Sequence, residues 1–552
     1  MALLSQGEKR IEPLDSDGKI EISSTPDERD ISSISSGEQN EDIHYLVGWR
    51  FYLSTAGIGL GLFLINFEVT IVSTALVPIT NELHDFQQAS WVITAYLLTY
   101  TGGLVIWAKL SDIIGRKLAC LSSMIIFTAF SAGCGAAQTL LQLIVCRAFQ
   151  GIGGSGIYAV TIAMVYEMVP AHKLPIYSSF VMILFLIAVA LGPLLGGIIS
   201  QQASWRWIFL INVPFCAVAA AMILFSVPNN FPNQGRVRHP PRPSLKSLDF
   251  LGATLMLAAL ALLITGLQQG SSLLSWSDSS VLAPLIVSGV SWVAFLASQW
   301  YVSREGNTIQ PVFPWRFCRS RLVMALLLNA FTIGGVGITC TIQLPFRSQT
   351  AVGMTPLESG VRLLAFSAAA PLGFVAMSIA VKKRRVPPIY LSLVAQVLQI
   401  IGLVFMSRAP VDKPDWATLY GVSSLVGFGM GACNSAATLM TPFMVEKRDI
   451  AVASASVVQF RFLGSTVVLS VITSVGNTWV KNRLSEALGS ENLGLLFEST
   501  ELIDSLPSDL ETLVRNRFIE SFNLQMEIVL GVAVVSVFTT LLMWQRPQIR
   551  IP

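Results

Sequence analysis

From Trp49 onward the chain is a succession of apolar stretches separated by short polar segments. About 20 residues of helix, rising 1.5 Å per residue, cross roughly 30 Å of hydrocarbon. By that measure the sequence predicts fourteen spans: 49–77, 89–109, 118–137, 139–166, 176–200, 206–228, 248–270, 280–302, 321–345, 357–381, 387–407, 415–438, 451–477 and 524–545. The fold class expected is all-α, a polytopic membrane protein, and an even count puts both ends of the chain on one face. Lys and Arg mark that face because they accumulate in cytosolic loops. One set of loops carries twenty of them, including Lys109, Arg116, Lys117, Lys173, Lys382, Lys383, Arg384 and Arg385. The short loops of the other set carry four, Arg206, Arg347, Arg408 and Lys413. N- and C-termini are therefore expected in the cytosol.

The remaining segments have characters of their own. The first 45 residues hold eleven acids against four Lys/Arg, many serines and no apolar run long enough for a signal peptide, so 1–47 is expected as a disordered acidic cytosolic tail. Residues 229–247 contain Pro232, Pro240, Pro241 and Pro243 among arginines and read as a cytosolic linker. Residues 303–320 form a second cytosolic connector, and 547–552 a short cytosolic tail. Residues 478–523 are acidic and are expected as a long extracytosolic loop with a short amphipathic helix near 508–520.

Composition narrows the chemistry. The chain is 53% hydrophobic and 12% charged, against about 25% charged in soluble domains. A net charge of +3 then reflects loop asymmetry and does not suggest nucleic acid. The seven cysteines lack CxxC spacing and the four histidines fall in loops or the tail, so neither a metal nor a cofactor is expected. No GxxxxGK[S/T] phosphate loop occurs, which argues against nucleotide-driven work, and no constellation for an intramembrane enzyme assembles.

Charges inside the spans are few. Arg147 stands in an apolar helix and is followed by Gly151-Ile152-Gly153-Gly154-Ser155-Gly156. A central Arg costs roughly 3 kcal/mol on insertion scales and must face protein or water. The glycine pattern returns as Gly427-Phe428-Gly429-Met430-Gly431, eight spans later, and the basic loop 109–117 returns as 382–385 at the same offset. An internal repeat with two inserted helices gives that offset, predicting six helices in 48–228, two additional helices in 248–302 and six more in 321–546.

Five stretches carry a family resemblance. They are Asn66-Phe67-Glu68-Val69-Thr70-Ile71-Val72-Ser73-Thr74-Ala75-Leu76; Ala108-Lys109-Leu110-Ser111-Asp112-Ile113-Ile114-Gly115-Arg116-Lys117; Arg147 with Gln150-Gly151-Ile152-Gly153-Gly154; Ala188-Val189-Ala190-Leu191-Gly192-Pro193-Leu194-Leu195-Gly196-Gly197; and Trp205-Arg206-Trp207-Ile208-Phe209-Leu210-Ile211-Asn212-Val213-Pro214. Together they resemble the major facilitator superfamily, in particular its fourteen-helix drug:proton antiporter family and the fungal members that include toxin and multidrug efflux pumps. Ala108 and Ala188 stand where that pattern has Gly, and Glu68 where it commonly has Asp.

The resemblance implies two six-helix bundles rocking about a midplane site, and a small lipophilic compound exported in exchange for protons. Proton-coupled uptake of a siderophore or nutrient is the alternative, and a transporter-like nutrient receptor a more distant one. The implied partners are the small-molecule substrate, protons and the lipid bilayer, without nucleic acid. The chain is expected to act as a monomer, in the plasma membrane or else an internal membrane such as the vacuole.

Glu68 and Arg147 lie at matching depth, about 12 to 14 Å from the outer ends of their spans at 1.5 Å per residue. A carboxylate whose distance from Arg147 or access to water changes with conformation can load and release a proton, so both are expected in proton coupling. Asp112, Gly115, Arg116 and Lys117 are expected to form a cytosolic latch between the bundles. Gly192, Pro193, Gly196 and Gly197 are expected to let span 5 bend and approach the opposite bundle. By family analogy spans 1, 4, 9 and 12 line the cavity, which makes Asn66, Thr70, Tyr158, Asn329, Gln343 and Asn434, with Tyr96 from span 2, candidates to meet substrate. Arg461, near the middle of span 13, has no membrane-embedded acid in its bundle to pair with, and its role stays open.

Overall fold

The apolar stretches fold as long helices whose ends are set by local chemistry. We label them α1 (Trp49–Glu82), α2 (Trp91–Ile114), α3 (Arg116–Ala136), α4 (Leu140–Met168), α5 (Leu174–Gln202), α6 (Asn212–Ser226), α7 (Phe250–Ser271), α8 (Ser279–Val302), α9 (Arg321–Thr350), α10 (Pro356–Arg384), α11 (Pro388–Met406), α12 (Trp416–Met444), α13 (Ile450–Glu498) and α14 (Ser508–Leu542). The computed structural model describes residues 46, 48–169, 174–232, 247–271, 276–304, 309, 311–384, 386–409, 416–446, 450–500 and 502–549, and among the described residues there is no β-strand. The expected tail 1–47 apart from Leu46, most of the linker 229–247 and the last residues of the tail 547–552 lie outside them.

Among the described residues, twelve helical stretches are long and apolar enough to cross a membrane. Outside that set are α5, of which the stretch Ile187–Gln202 forms a shorter apolar helix among the described residues, and α12. The latter carries Ser423, Ser424, Asn434, Ser435, Thr438 and Thr441 in a glycine-rich helix, which lowers its mean hydropathy. Large apolar side chains such as Ile286, Val290 and Val293 on α8 face outward, as hydrocarbon solvent demands.

Capping fixes several starts. Thr139 accepts a hydrogen bond from the Gln142 amide before α4, and Ser320 does the same for Val323 before α9. Between α2 and α3 the chain reverses at Gly115, whose φ of 96° suits a residue without a β-carbon.

The repeated glycines do equivalent work in both halves. A β-carbon on Gly151 would come within 2.4 Å of the Tyr96 carbonyl on α2, and one on Gly153 within 2.5 Å of the Phe127 amide on α3. In the second copy, Gly427 approaches Phe366 on α10 and Gly429 approaches Ala395 on α11 just as closely. So α4 rests on α2 and α3 as α12 rests on α10 and α11, each at an offset of eight helices. Backbones this close gain dispersion contact in the absence of a hydrophobic drive between helices in lipid. The inserted pair, α7 and α8, is tied internally by Ser288 Oγ donating to the Ala259 carbonyl (2.7 Å). Gln268 on α7 reaches Ser90, and Ser474 on α13 donates to the Leu267 carbonyl (2.7 Å), so the pair touches both halves.

The segment 478–523, expected as a loop with one short helix, is instead largely helical. α13 runs unbroken for 49 residues to Glu498, and α14 begins at Ser508 and continues as one 35-residue helix. Val480, Leu484 and Leu488 recur every four residues and are buried with Leu496, Ile503 and Val514 in a small core of their own. The many acids around this stripe lowered the average hydropathy and hid it.

Candidate functional site

α1 and α4 bring Glu68 and Arg147 into a direct ion pair in which both side chains are sealed, 0% and 1% exposed. Arg147 Nη1 donates to Glu68 Oε1 and to Gln150 Oε1 (2.7 Å), and its Nε donates to the Val92 carbonyl on α2 (2.9 Å). The guanidinium also lies 4.4 Å over the Tyr96 ring and 5.6 Å from that of Phe209. Asn212, at the start of α6, donates from Nδ2 to the other oxygen of Glu68. Gln150 continues the chain by donating to Ser131 Oγ on α3 (2.7 Å). Burying two charges is costly unless they are paired and their remaining hydrogen-bonding capacity is filled. Here five helices, α1, α2, α3, α4 and α6, supply those partners.

Tyr96, placed among the cavity candidates, therefore serves as the ring beneath Arg147. Among the described residues its hydroxyl has no hydrogen-bond partner, and the same holds for that of Tyr100 one turn on. Asn212 and Gln150 lay within the quoted stretches, yet nothing in one sequence says which apolar helix face an isolated amide occupies.

One end of the molecule is closed by contacts between the halves. A β-carbon on Gly197 would lie 2.5 Å from the Pro356 carbonyl at the start of α10, and one on Gly360 would lie 2.3 Å from the Pro193 carbonyl. Gly192 and Gly196 press the opposite face of α5 onto Thr70 and Ile71 of α1, where Thr74 Oγ1 also donates to the Pro193 carbonyl (3.2 Å). Nearby Gln349 donates across the halves to the Thr74 carbonyl (2.9 Å), and Phe86 stacks on Phe346 with centroids 5.3 Å apart. The helical extension of α13 and α14 adds a cover: the Thr500 amide and hydroxyl donate to Asn81 Oδ1 (3.1 and 3.0 Å), and Arg515 reaches the Thr350 carbonyl (3.4 Å).

At the other end, Arg116 pairs with Asp112 (2.6 Å) and Glu167 (2.7 Å) and reaches Ser111 and the Ala108 carbonyl (3.4 Å). These partners all lie in the first six helices, so in this conformation Arg116 fastens the α2–α3 turn to the end of α4 and does not reach the other half. Lys117 donates to Asn229 Oδ1 (3.1 Å). It is Lys109 that leaves the half, donating to the Pro311 carbonyl in the connector ahead of α9 (2.6 Å). Asp249 and Gln299 hold that connector, Asp249 accepting from the Gln299 amide (2.6 Å) and Gln299 accepting from the Phe313 amide (2.8 Å).

The other cavity candidates divide. Thr70 is buried against α5, donating to the Ala188 carbonyl (3.3 Å), and Asn329 donates to Thr539 and Thr540 on α14 (3.1 and 2.9 Å). Both are packing residues here. Asn66 is half-buried and bonded to its own helix at the Leu62 carbonyl (2.6 Å), and Gln343 is buried on α9. Tyr158 is half-buried beside Tyr100, with ring centroids 6.3 Å apart. Asn434 on α12 accepts from Arg461 Nη1 at 2.8 Å, so the partner of Arg461 is a neutral amide.

Residues 58–469 match the family model of the Major Facilitator Superfamily. The chain belongs to that family and is a multi-pass membrane transporter. It is 37% identical to the MFS-type transporter FPY5 of Fusarium mangiferae, over 92% of this chain and 86% of that one. It is 28% identical to the efflux pump aunC of Aspergillus niger, over 79% of this chain and 76% of that one. Among solved structures, the inward-facing, unoccupied bacterial homolog of the human lysosomal transporter Spinster superposes with a TM-score of 0.61 at 15% identity, covering 91% of this chain and all of the other. The D-xylose-proton symporter superposes at 0.54 and 12% identity, over 81% of this chain and 95% of the other.

Proposed function

We propose that this transporter exports a small lipophilic organic compound in exchange for protons, by alternating access. In this reading all fourteen helices cross the membrane, both termini lie in the cytosol of a plasma-membrane protein, and the closed end where α1, α5 and α9 finish faces outward. The observation that carries the reading is the buried Glu68–Arg147 pair braced by Asn212 on α6. α1, which carries Glu68, is also tied to the opposite half by Gln349 at the Thr74 carbonyl, so a rocking motion that moves α1 within its own half changes the carboxylate's solvation and its distance from Arg147, and that change is a means of loading and releasing a proton. The glycine-lined contact of α5 with α10 supports the rocking, because it lets two helices of opposite halves meet and part over a small apolar surface. The efflux-pump names of several fungal relatives favour export over uptake.

Purified protein in sealed liposomes, with substrate and protons on opposite sides, tests this directly. A pH gradient of one sign should drive accumulation of lipophilic compounds against their own gradient, and protons should flow the other way. Accumulation toward the side with fewer protons would reverse the assignment to symport.

A further inference from the structure

Arg461 is a membrane-embedded cation that its own fold leaves unneutralised. Its guanidinium is held by Asn434 on α12, and among the described residues it forms no ion pair with an acid. Arg147 is neutralised by Glu68, whereas Arg347, also without an acid partner among the described residues, is sealed at 4% exposure with the Phe522 ring 4.9 Å from it, on the side of α9 that faces α14. Arg461 is half-buried, so its charge is not sealed in packing.

Its surroundings are aromatic and join the halves. Phe462, the next residue, meets Tyr100 of α2 with centroids 4.6 Å apart, and the Tyr158 ring of α4 lies 6.3 Å from that of Tyr100. The Tyr100 hydroxyl is buried without a hydrogen-bond partner and lies within electrostatic reach of Arg461 and Tyr158. The cluster thus holds donors in excess: the guanidinium, a free phenolic O–H, and the Asn434 amide, whose oxygen is already taken by Arg461. An organic cation finds no carboxylate here and meets a like charge. An anion finds a guanidinium and an O–H donor, and the rings of Phe462, Tyr100 and Tyr158 offer faces for a planar body.

We propose that Arg461, Asn434, Tyr100, Tyr158 and Phe462 form the recognition site for an aromatic monoanion, a planar apolar body carrying one carboxylate or one ionised phenol or enol. The site lies where the two halves meet, so a bound anion touches α2 and α4 of one half and α12 and α13 of the other. This names the substrate class for the transport path proposed above and rests on that reading for direction and driving force, but its selectivity is a property of binding alone.

The test is equilibrium binding to the full chain in nanodiscs, with empty nanodiscs subtracted. The probes are radiolabelled 1-naphthoate and 9-anthracenecarboxylate, their carboxamides and their aminomethyl analogues. A guanidinium hydrogen-bonded to an anion corresponds to about ten- to hundredfold in affinity, so each acid should bind at least about tenfold more tightly than its amide or amine. Arg461→Gln should bring the acid-to-amide ratio to near one, and Arg461→Lys should keep most of it. Tyr100→Phe deletes a hydroxyl that no described residue holds, so it should fold as wild type yet weaken the acids about three- to tenfold while sparing the amides. The proposal is overturned if amides or amines bind as tightly as the acids, if no acid binds, or if a folded Arg461→Gln protein keeps the ratio. Acid-selective binding without gradient-driven flux would remove the export reading and leave this site standing. Gradient-driven flux of neutral or cationic compounds that ignores Arg461→Gln would do the reverse.

Discussion

Asn212 donates a hydrogen bond to the Glu68 oxygen that Arg147 does not hold, so one carboxylate is gripped from α6 on one side and from α4 on the other. The grip makes the charge part of the packing between five helices. A movement of α6 against α1 then alters the carboxylate's surroundings without any change in Glu68 itself.

Asn212→Leu removes one side of that grip and leaves a buried carboxylate oxygen unsatisfied, at a cost of about 1–3 kcal/mol. The expected result is a lower thermal midpoint in detergent together with slower gradient-driven flux. Unchanged flux at unchanged stability would show that the Asn212 bond is incidental.

Removing Arg147 alone is expected to be worse than removing the pair. Arg147→Met strands a buried anion, costing about 3–5 kcal/mol, whereas Glu68→Leu with Arg147→Met replaces an ion pair by packing of similar volume. Thermal unfolding should rank wild type and the double variant well above Arg147→Met. If the single variant were the more stable of the two, the charges would not be coupled as the geometry requires.

Closure of the end where α5 meets α10 is expected to be sensitive to Gly197. A side chain there meets the Pro356 backbone, which cannot yield as a flexible side chain would, so Gly197→Leu should disfavour the closed arrangement by about 1–3 kcal/mol. The measurement is the labelling rate of a cysteine placed at Phe346 by an impermeant maleimide added from that side. Labelling should rise by an order of magnitude or more while flux falls.

The helical cover makes a milder contribution. Asn81→Leu removes the acceptor of the Thr500 amide and hydroxyl, each bond worth about 1 kcal/mol net, so the same labelling assay should show a roughly fivefold or greater increase. No change would mean that the extension of α13 and α14 rides on the transporter without bearing on its gate.

Much of this was legible in the chain itself. The apolar stretches and the glycine repeat anticipate the helices and the matched packing of α4 and α12, because both depend on local composition and on close backbone approach. Matching positions along α1 and α4 made contact between Glu68 and Arg147 possible, because a helix converts residue number into distance, and the two do pair. Side-chain direction did not follow in the same way: Thr70 and Asn329 lie on expected cavity helices but turn toward α5 and α14. Asn212 escaped notice because its role exists only once α6 has met α1. The continuation of α13 was hidden because an apolar stripe every four residues disappears in an average over acidic neighbours.

Proton-gradient-driven flux in liposomes, comparing wild type with Glu68→Gln, bears most directly on the proposed exchange. Glutamine keeps the size, can accept from Arg147 through its one oxygen and can donate through its NH2 to an Asn212 amide turned over to present Oδ1, but it cannot carry a proton. The account predicts that gradient-driven accumulation disappears while substrate binding and downhill exchange survive. Accumulation at the wild-type rate in the Gln variant would contradict it and remove Glu68 as the group that couples protons to transport.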